Sequence, residues 1–397
     1  MPSPRALVDG KTLEWARQTA GFDIEIAAKK VGVSAERLRA WEQNDLAPTI
    51  KQLRKLAHVL HRPIGLFFLP SLPAEAEQIR DFRRVGAAQV RALSAALRFE
   101  IRLARERRQE AIELARDLGR DFPRFTDRCS LDDDPDRAAE RLRNRLGVTI
   151  DDQRGWQSKY DGFNAWRAAV ERLGVLVFQT GATPSLRVDT NEARGFSIAE
   201  HPFPVVVANG GDRPTARSFT LLHEVAHILL RNGGICDFHH MEAPRSQVDL
   251  VEVFCNRVAG AVLVPTNALL STDIVQEHGR DPAWSDEELA VLARRFWVSW
   301  EVALRRLLIV GRTNRKFYEG WRREQEDRYP EREDLSEPHL KTPVRVVRRH
   351  GRLFPSLVLA GFDESMLTAH EASVFLDAGP QHLDDIRQEV LESRYAI

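Results

Sequence analysis

Cysteine is scarce in this sequence: Cys129, Cys236 and Cys255 are the only three in 397 residues, and they lie far apart. Three are too few for a disulfide framework and point to a reducing compartment. Net charge is also missing, with 58 basic residues set against 58 acidic ones. That balance excludes a nonspecific polycation but leaves room for a local nucleic-acid surface. No apolar run approaches the roughly 18–20 residues of a membrane-spanning helix. Residues 1–15 lack the apolar stretch and small-residue cleavage site of a secretory signal. No internal repeat long enough for a solenoid is present. The expectation is a soluble, cytoplasmic protein with no membrane contact. The remainder is globular in composition, with 43% hydrophobic and 29% charged residues over a length of two or three domains.

Residues 1–70 read as short helices in one small unit. Leu13, Ala16 and Ala20 form a helical stripe, and residues 24–31 repeat the pattern. Gly32-Val33-Ser34 then interrupts it, with Gly32 suited to a helix C-terminus and Ser34 to the N-cap of the next helix, residues 35–43. Helices over residues 49–60 and 63–69 follow, and Pro70 and Pro73 close the unit. A helix, a three-residue turn with glycine and a second helix make a helix-turn-helix signature. Residues 1–70 hold 11 Lys/Arg against 7 Asp/Glu, a modest surplus that supports a polyanion partner. In the second helix of that pair, Ala35, Glu36, Arg39, Gln43 and Asn44 are the candidate groove-facing side chains. Leu38, Trp41 and Leu56 are core, and the competing reading is a helical module that binds protein.

Residues 90–118 are rich in Ala, Leu, Arg and Glu without Gly or Pro, which predicts one long helix. Arg102, Arg105, Arg107 and Arg108 concentrate charge in its middle and read as a solvated face of a connector or dimerisation helix. After the acidic loop 132–135, helices over 135–146 and 164–173 alternate with short strands over 175–179, 195–198 and 204–208. Long apolar helices follow over 218–230 and 249–264, the second stopped by Pro265. From 285 to 311 two helices recur in a helix-turn-helix-like layout, broken at Val298-Ser299. Residues 312–397 are basic near 345–352 and then helical, with no interpretable motif.

The informative stretch is His223-Glu224-Val225-Ala226-His227. Histidines four apart project from one face of a helix, one turn above the other. Two imidazoles in that register can bind one Zn²⁺, with Glu224 turned toward a water on the metal to act as general base. With 12 histidines in the chain, the pattern arises by chance in roughly a few per cent of such sequences. Its apolar helical flanks make it more specific, because two histidines and a glutamate are costly to bury without partners. A catalytic zinc takes a third protein ligand, and the candidates are Cys236, His239, His240, Glu242 and Glu252. Glu252 is favoured, because it lies in the first turn of an apolar helix among Val251, Val253 and Phe254 and is better explained by a metal than by solvent. Cys255 reads as a buried small apolar residue.

The stretch R-x-F-T-L-L-H-E-V-A-H-I-L-L from Arg217 and E-V-F-C-N-R-V-A-G-A-V-L-V-P from Glu252 to Pro265 resemble the ImmA/IrrE metallopeptidase family, as does R-G-F-S from Arg194. Residues 1–70 resemble the XRE/Cro-type helix-turn-helix, although the position where DNA-binding relatives usually carry Gln holds Ile24. The fusion resembles a class of bacterial and phage regulators. The resemblance implies a multidomain, mainly α protein with an α+β gluzincin-like metallopeptidase domain and an N-terminal all-α helix-turn-helix domain. It covers about 1–70 and 135–310, and the domain reading is a helix-turn-helix at 1–70, a connector at 71–134, the peptidase at 135–275, a helix-turn-helix-like extension at 276–320 and a helical tail at 321–397. It implies His223, His227 and Glu252 as ligands of Zn²⁺ (Mn²⁺ where availability dictates) and Glu224 as base. It also implies a helix-turn-helix repressor as substrate, cleaved to switch on stress, phage or mobile-element genes. The rival reading is a non-catalytic or latent antitoxin-like regulator whose zinc domain senses a ligand or binds a toxin. A homodimer is expected if the operator is two-fold.

Overall fold

The computed structural model describes residues 4–69, 80–81, 93–119, 121–181, 187–236, 247–328 and 340–392. They form two compact units, one holding residues 4–69 and 93–103, the other residues 80–81 and the described residues from 104 onward.

The first unit is built from α1 (Gly10–Thr19), α2 (Ile24–Val31), α3 (Ala35–Glu42) and α4 (Ile50–Val59). Its turn forms as the sequence dictates: Gly32 takes a left-handed φ of 78° and the Ser34 hydroxyl accepts from the Arg37 amide at 3.2 Å. Thr49 and Gln52 form a reciprocal capping box at the start of α4. Leu13, Ala16, Ala27, Val31, Leu38, Trp41, Leu53 and Leu56 make the core. Residues 64–68, expected within an α-helix, instead form a 3₁₀ turn, the short tight form common at the end of a helical unit. The division between the units falls inside α5 (Ala95–Asp117), which lies within the expected long helix; residues 90–92 of that expectation are outside the described residues.

The second unit begins with β1 (Arg80–Asp81) and continues after α5 with α6 (Pro135–Leu146), α7 (Ile150–Gly155) and α8 (Lys159–Glu171). Strands β2 (Leu176–Gln179), β3 (Gly195–Ile198) and β4 (Val205–Ala208) lead into α9 (Pro214–Leu229), β5 (Gly234–Cys236) and α10 (Gln247–Leu263). The sheet order is β1-β5-β3-β4-β2, with β3 antiparallel to both neighbours and the outer pairs β1–β5 and β2–β4 parallel. β2 and β4 are buried along their whole length and read as unbroken apolar runs with little alternation. α9 packs on β3 and β4 and is flanked by α8 and α10, while α6 lies along α10.

α11 (Thr266–Leu270) and α12 (Asp273–Glu277) precede the expected helix pair, α13 (Asp286–Phe296) and α14 (Trp300–Ile309), capped by Ser285 and Ser299. α15 (Arg315–Arg328) follows, then α16 (Thr342–His350), α17 (Leu353–Asp363), α18 (Ala369–Phe375) and α19 (Leu383–Glu392). The described part of the expected tail is an integral layer of this unit: α16 packs on β2, and the carbonyls of Val347 and Arg348 accept from Arg167 of α8 at 3.0 and 2.8 Å. The arginines of α5 also depart from the solvated face expected of them. Arg102 donates to the His61 carbonyl at 2.6 Å, and Arg108 donates to the Phe203 carbonyl at 3.1 Å. Arg107 is buried, pairs with Asp377 at 2.8 Å and lies over the Phe178 ring. Their long stems bury well while their forked donors satisfy loop carbonyls. Among the described residues no helix is long and apolar enough to cross a membrane.

Candidate metal centre

Three features of the local sequence build the helix that carries the site. Pro214 starts α9 at a first-turn position where its missing N–H costs nothing, the apolar run that follows buries every side of the helix, and the chain turns at Leu230. A helix buried all round is free of solvent competition, so His223, Glu224 and His227 are fixed by their neighbours. α10 meets α9 and brings Glu252 to the same place.

The three expected ligands converge. The Nε2 atoms of His223 and His227 are 3.0 Å apart, and the Glu252 carboxylate reaches them at 3.4 and 3.1 Å. Tetrahedral coordination with bonds of about 2.0–2.2 Å spaces donors by roughly 3.3–3.6 Å, so only small adjustments would close these groups on an ion. All three are buried, and they are the group of His, Cys, Asp and Glu among the described residues that could hold a metal. Burial pushes the Glu252 carboxyl up, but the two facing imidazoles more than reverse this and leave it at about 2. A carboxylate held ionised between two ring nitrogens is a donor set suited to a divalent cation. The remaining nitrogen of His227, Nδ1, lies 3.1 Å from the Asn232 carbonyl. A donated proton there leaves Nε2 as the lone-pair nitrogen facing the cluster, the usual outer support of a ligating histidine.

Glu224 stands beside this trio without joining it. Its Oε2 accepts from the Ser197 hydroxyl at 2.7 Å, and its buried Oε1 has no hydrogen-bond partner among the described residues. Burial raises its pKa against the lowering pull of His227 and His223. Gly195, two residues before Ser197 on the same face of β3, admits the helix: a Cβ there would meet Thr220 Cγ2 at 2.5 Å and the Val207 carbonyl oxygen at 2.8 Å. Cys255 is buried, and burial pushes its thiol up, in keeping with the small apolar role expected of it. Of the other third-ligand candidates, His239, His240 and Glu242 lie outside the described residues, and for Cys236 the backbone alone is described, in β5.

Some supporting residues carry no recognisable sequence signal. The last two carbonyls of α10 and that of the next residue are each taken by a buried side chain: Val262 accepts from Arg143 at 2.5 Å, Leu263 from Gln153 at 2.9 Å and Val264 from Arg306 at 3.0 Å. These bonds satisfy the orphan acceptors at the helix end and hold the helix that carries Glu252. Asn209 donates to the carbonyls of Val188 and Ala193 at 3.1 and 2.9 Å, anchoring the loop that delivers β3. Scattered polar residues in an apolar context signal a buried network in sequence, but not its partners.

In the small unit, the residues expected to face DNA occupy α3 and its end. Ala35 is half-buried, and Glu36, Arg39, Gln43 and Asn44 are exposed. Arg39 sits 3.5 Å from Glu25, and Asn44, at a φ of 63°, accepts from the Gly10 amide at 2.7 Å and donates to Asp9. Asn44 thus braces the start of α1.

The fold and cluster define a helix-turn-helix unit in the same chain as a domain with a His-Glu-x-x-His helix and a second helix supplying a glutamate. Residues 170–308 match the peptidase family model described as IrrE N-terminal-like domain, and residues 13–67 match the model described as helix-turn-helix. No curated protein matches the chain. The pairing of these two domains is the fusion expected from the motifs, and the buried His-His-Glu cluster falls inside the peptidase match.

Proposed function

We propose that this protein is a zinc-dependent peptidase fused to a DNA-binding domain, which regulates transcription in the cytoplasm by cutting a helix-turn-helix repressor at one site. The observation that supports catalysis over a structural metal is Glu224, buried beside the cluster with Oε1 unpartnered; a purely structural site needs no such base. His223, His227 and Glu252 would hold the ion. When bound, zinc would lower the pKa of a water toward ~7 and polarise the scissile carbonyl. Glu224 takes the proton from the attacking water at Oε1 and returns it to the leaving amine, while Ser197 holds Oε2 and so fixes the plane of the carboxylate. His227 keeps its orientation through Asn232. The near-complete burial of all four side chains supports a second reading, a latent peptidase that opens to its substrate on a signal.

Metal removal tests the catalytic assignment. Dialysis against a chelator is expected to end cleavage of the partner repressor, read as loss of new protein N-termini by mass spectrometry, and added Zn²⁺ to restore it. Cleavage that persists without metal would overturn the assignment.

DNA binding rests on the helix-turn-helix match and the exposed side chains of α3. Binding to the protein's own promoter region is expected to weaken steeply with salt, with a log–log slope of about −0.9 for each phosphate neutralised. Replacing Arg39 by Ala should flatten that slope by roughly one. A flat response in the wild type would favour the protein-binding module.

A further inference from the structure

A cavity of about 450 Å³ lies within the larger unit, between α8, the amino-terminal end of α9 and α16. Its size is that of a small-molecule site, and Arg167, Arg217, Arg348 and Arg352 all line it. Arg352 is committed elsewhere, donating to the carbonyls of Glu389 and Val390 at 2.7 and 2.8 Å. Arg167 and Arg217 are each only 4% exposed, yet neither donates to a carboxylate. Arg167 donates to three main-chain carbonyls, Val177, Val347 and Arg348, and Arg217 donates to the neutral amide oxygen of Gln179 and lies over the Phe163 ring. The Nε of each has no hydrogen-bond partner among the described residues.

The acids in the wall, Glu171, Asp212 and Glu389, act through their charge on Arg167, Arg217 and Arg352, but none forms an ion pair with the buried Arg167 or Arg217. Glu171 turns Oε1 to the amides of Arg352 and Leu353 at 2.9 and 3.4 Å, and burial pushes its carboxyl up. Asp212 faces Arg194 at 3.7 Å. Burial, with Arg352 beside Arg167 and Arg348 beside Arg217, lowers each to about 10 against the raising charges of Glu171 and Asp212, which leaves both cationic at neutral pH. Buried guanidinium groups without an ionic partner are costly. Pro214 of the first turn of α9 lines the same cavity, so the positive end of a 16-residue helix adds to the field.

We propose that this cavity binds a small phosphorylated metabolite, its phosphate held by Arg167, Arg217 and Arg348. Guanidinium forks match phosphate oxygens in pairs, and the space exceeds that of a bare phosphate, so the rest of the ligand lies along the apolar side chains of Phe163, Leu340, Val344 and Val347. Arg217 precedes His223 by six residues, or about 9 Å of helix rise, so the ligand would rest on the helix that carries the metal-site histidines.

Calorimetry on the full-length protein with inorganic phosphate and with adenosine monophosphate tests this, against sodium chloride of equal ionic strength. Saturable binding near one per chain is expected for both, tighter for the nucleotide, and weakened about tenfold in Arg348→Gln and Arg217→Lys. Arg348 is only half-buried, so Arg348→Gln carries the test should the buried Arg217→Lys fail to fold. Binding should survive in Glu252→Ala, because the cavity does not include the metal cluster; loss there would place the phosphate on the metal and overturn the proposal. A response equal to chloride, unchanged binding in Arg348→Gln, or binding of citrate with none of phosphate would overturn it as well.

Discussion

Glu224→Gln is expected to keep its full metal content and to lose peptide hydrolysis by about 10²–10⁴-fold. The substitution is nearly isosteric, and the amide oxygen can still accept from Ser197, which lies 2.7 Å from Oε2. At Oε1 an amide nitrogen replaces an oxygen that could take a proton. Glu224 is not among the three groups that converge on one point, so the ligand set is untouched. Cleavage assays paired with elemental analysis of the same preparation read both halves of this result. Loss of metal in the variant would make Glu224 a ligand, and retained activity would remove it from the chemistry.

Gly195→Ala should lower stability and disturb the metal cluster together. A Cβ at this position would lie 2.8 Å from the Val207 carbonyl oxygen and 2.5 Å from Thr220 Cγ2, and the first of these is backbone inside the sheet. β3 and α9 would have to separate, at a cost of about 2 kcal/mol, seen as a drop of several degrees in Tm. The same displacement moves Glu224, 3.5 Å from the added atom, away from Ser197, so activity should fall more than the folded fraction does. A variant with wild-type Tm and activity would show that the helix does not depend on this close approach.

The features legible in the sequence were those with a fixed spacing. His223 and His227 share a helix face because their separation is one turn, and Ser34 marks a helix start because its hydroxyl caps it. Glu252 stands out because a carboxylate in an apolar first turn needs a reason to be there. Long-range pairing left no such mark. Ser197 meets Glu224 across 27 residues, Gln153 meets Phe296 across 143, and Arg167 meets Arg348 across 181. For the same reason the arginines of α5 read as a solvated face: local composition says charged helix, and only the fold supplies the carbonyls and Asp377 that bury them. The C-terminal helices read as a tail because their apolar faces had no visible partner until β2 and α8 were in place.

The central claim is that His223, His227 and Glu252 bind a catalytic zinc. Native mass spectrometry and elemental analysis of the wild type beside Glu252→Ala test it most directly. One zinc per chain in the wild type, and little or none in the variant, is the expected result. A folded wild type with no metal, or a Glu252→Ala protein that keeps full occupancy, would contradict the account.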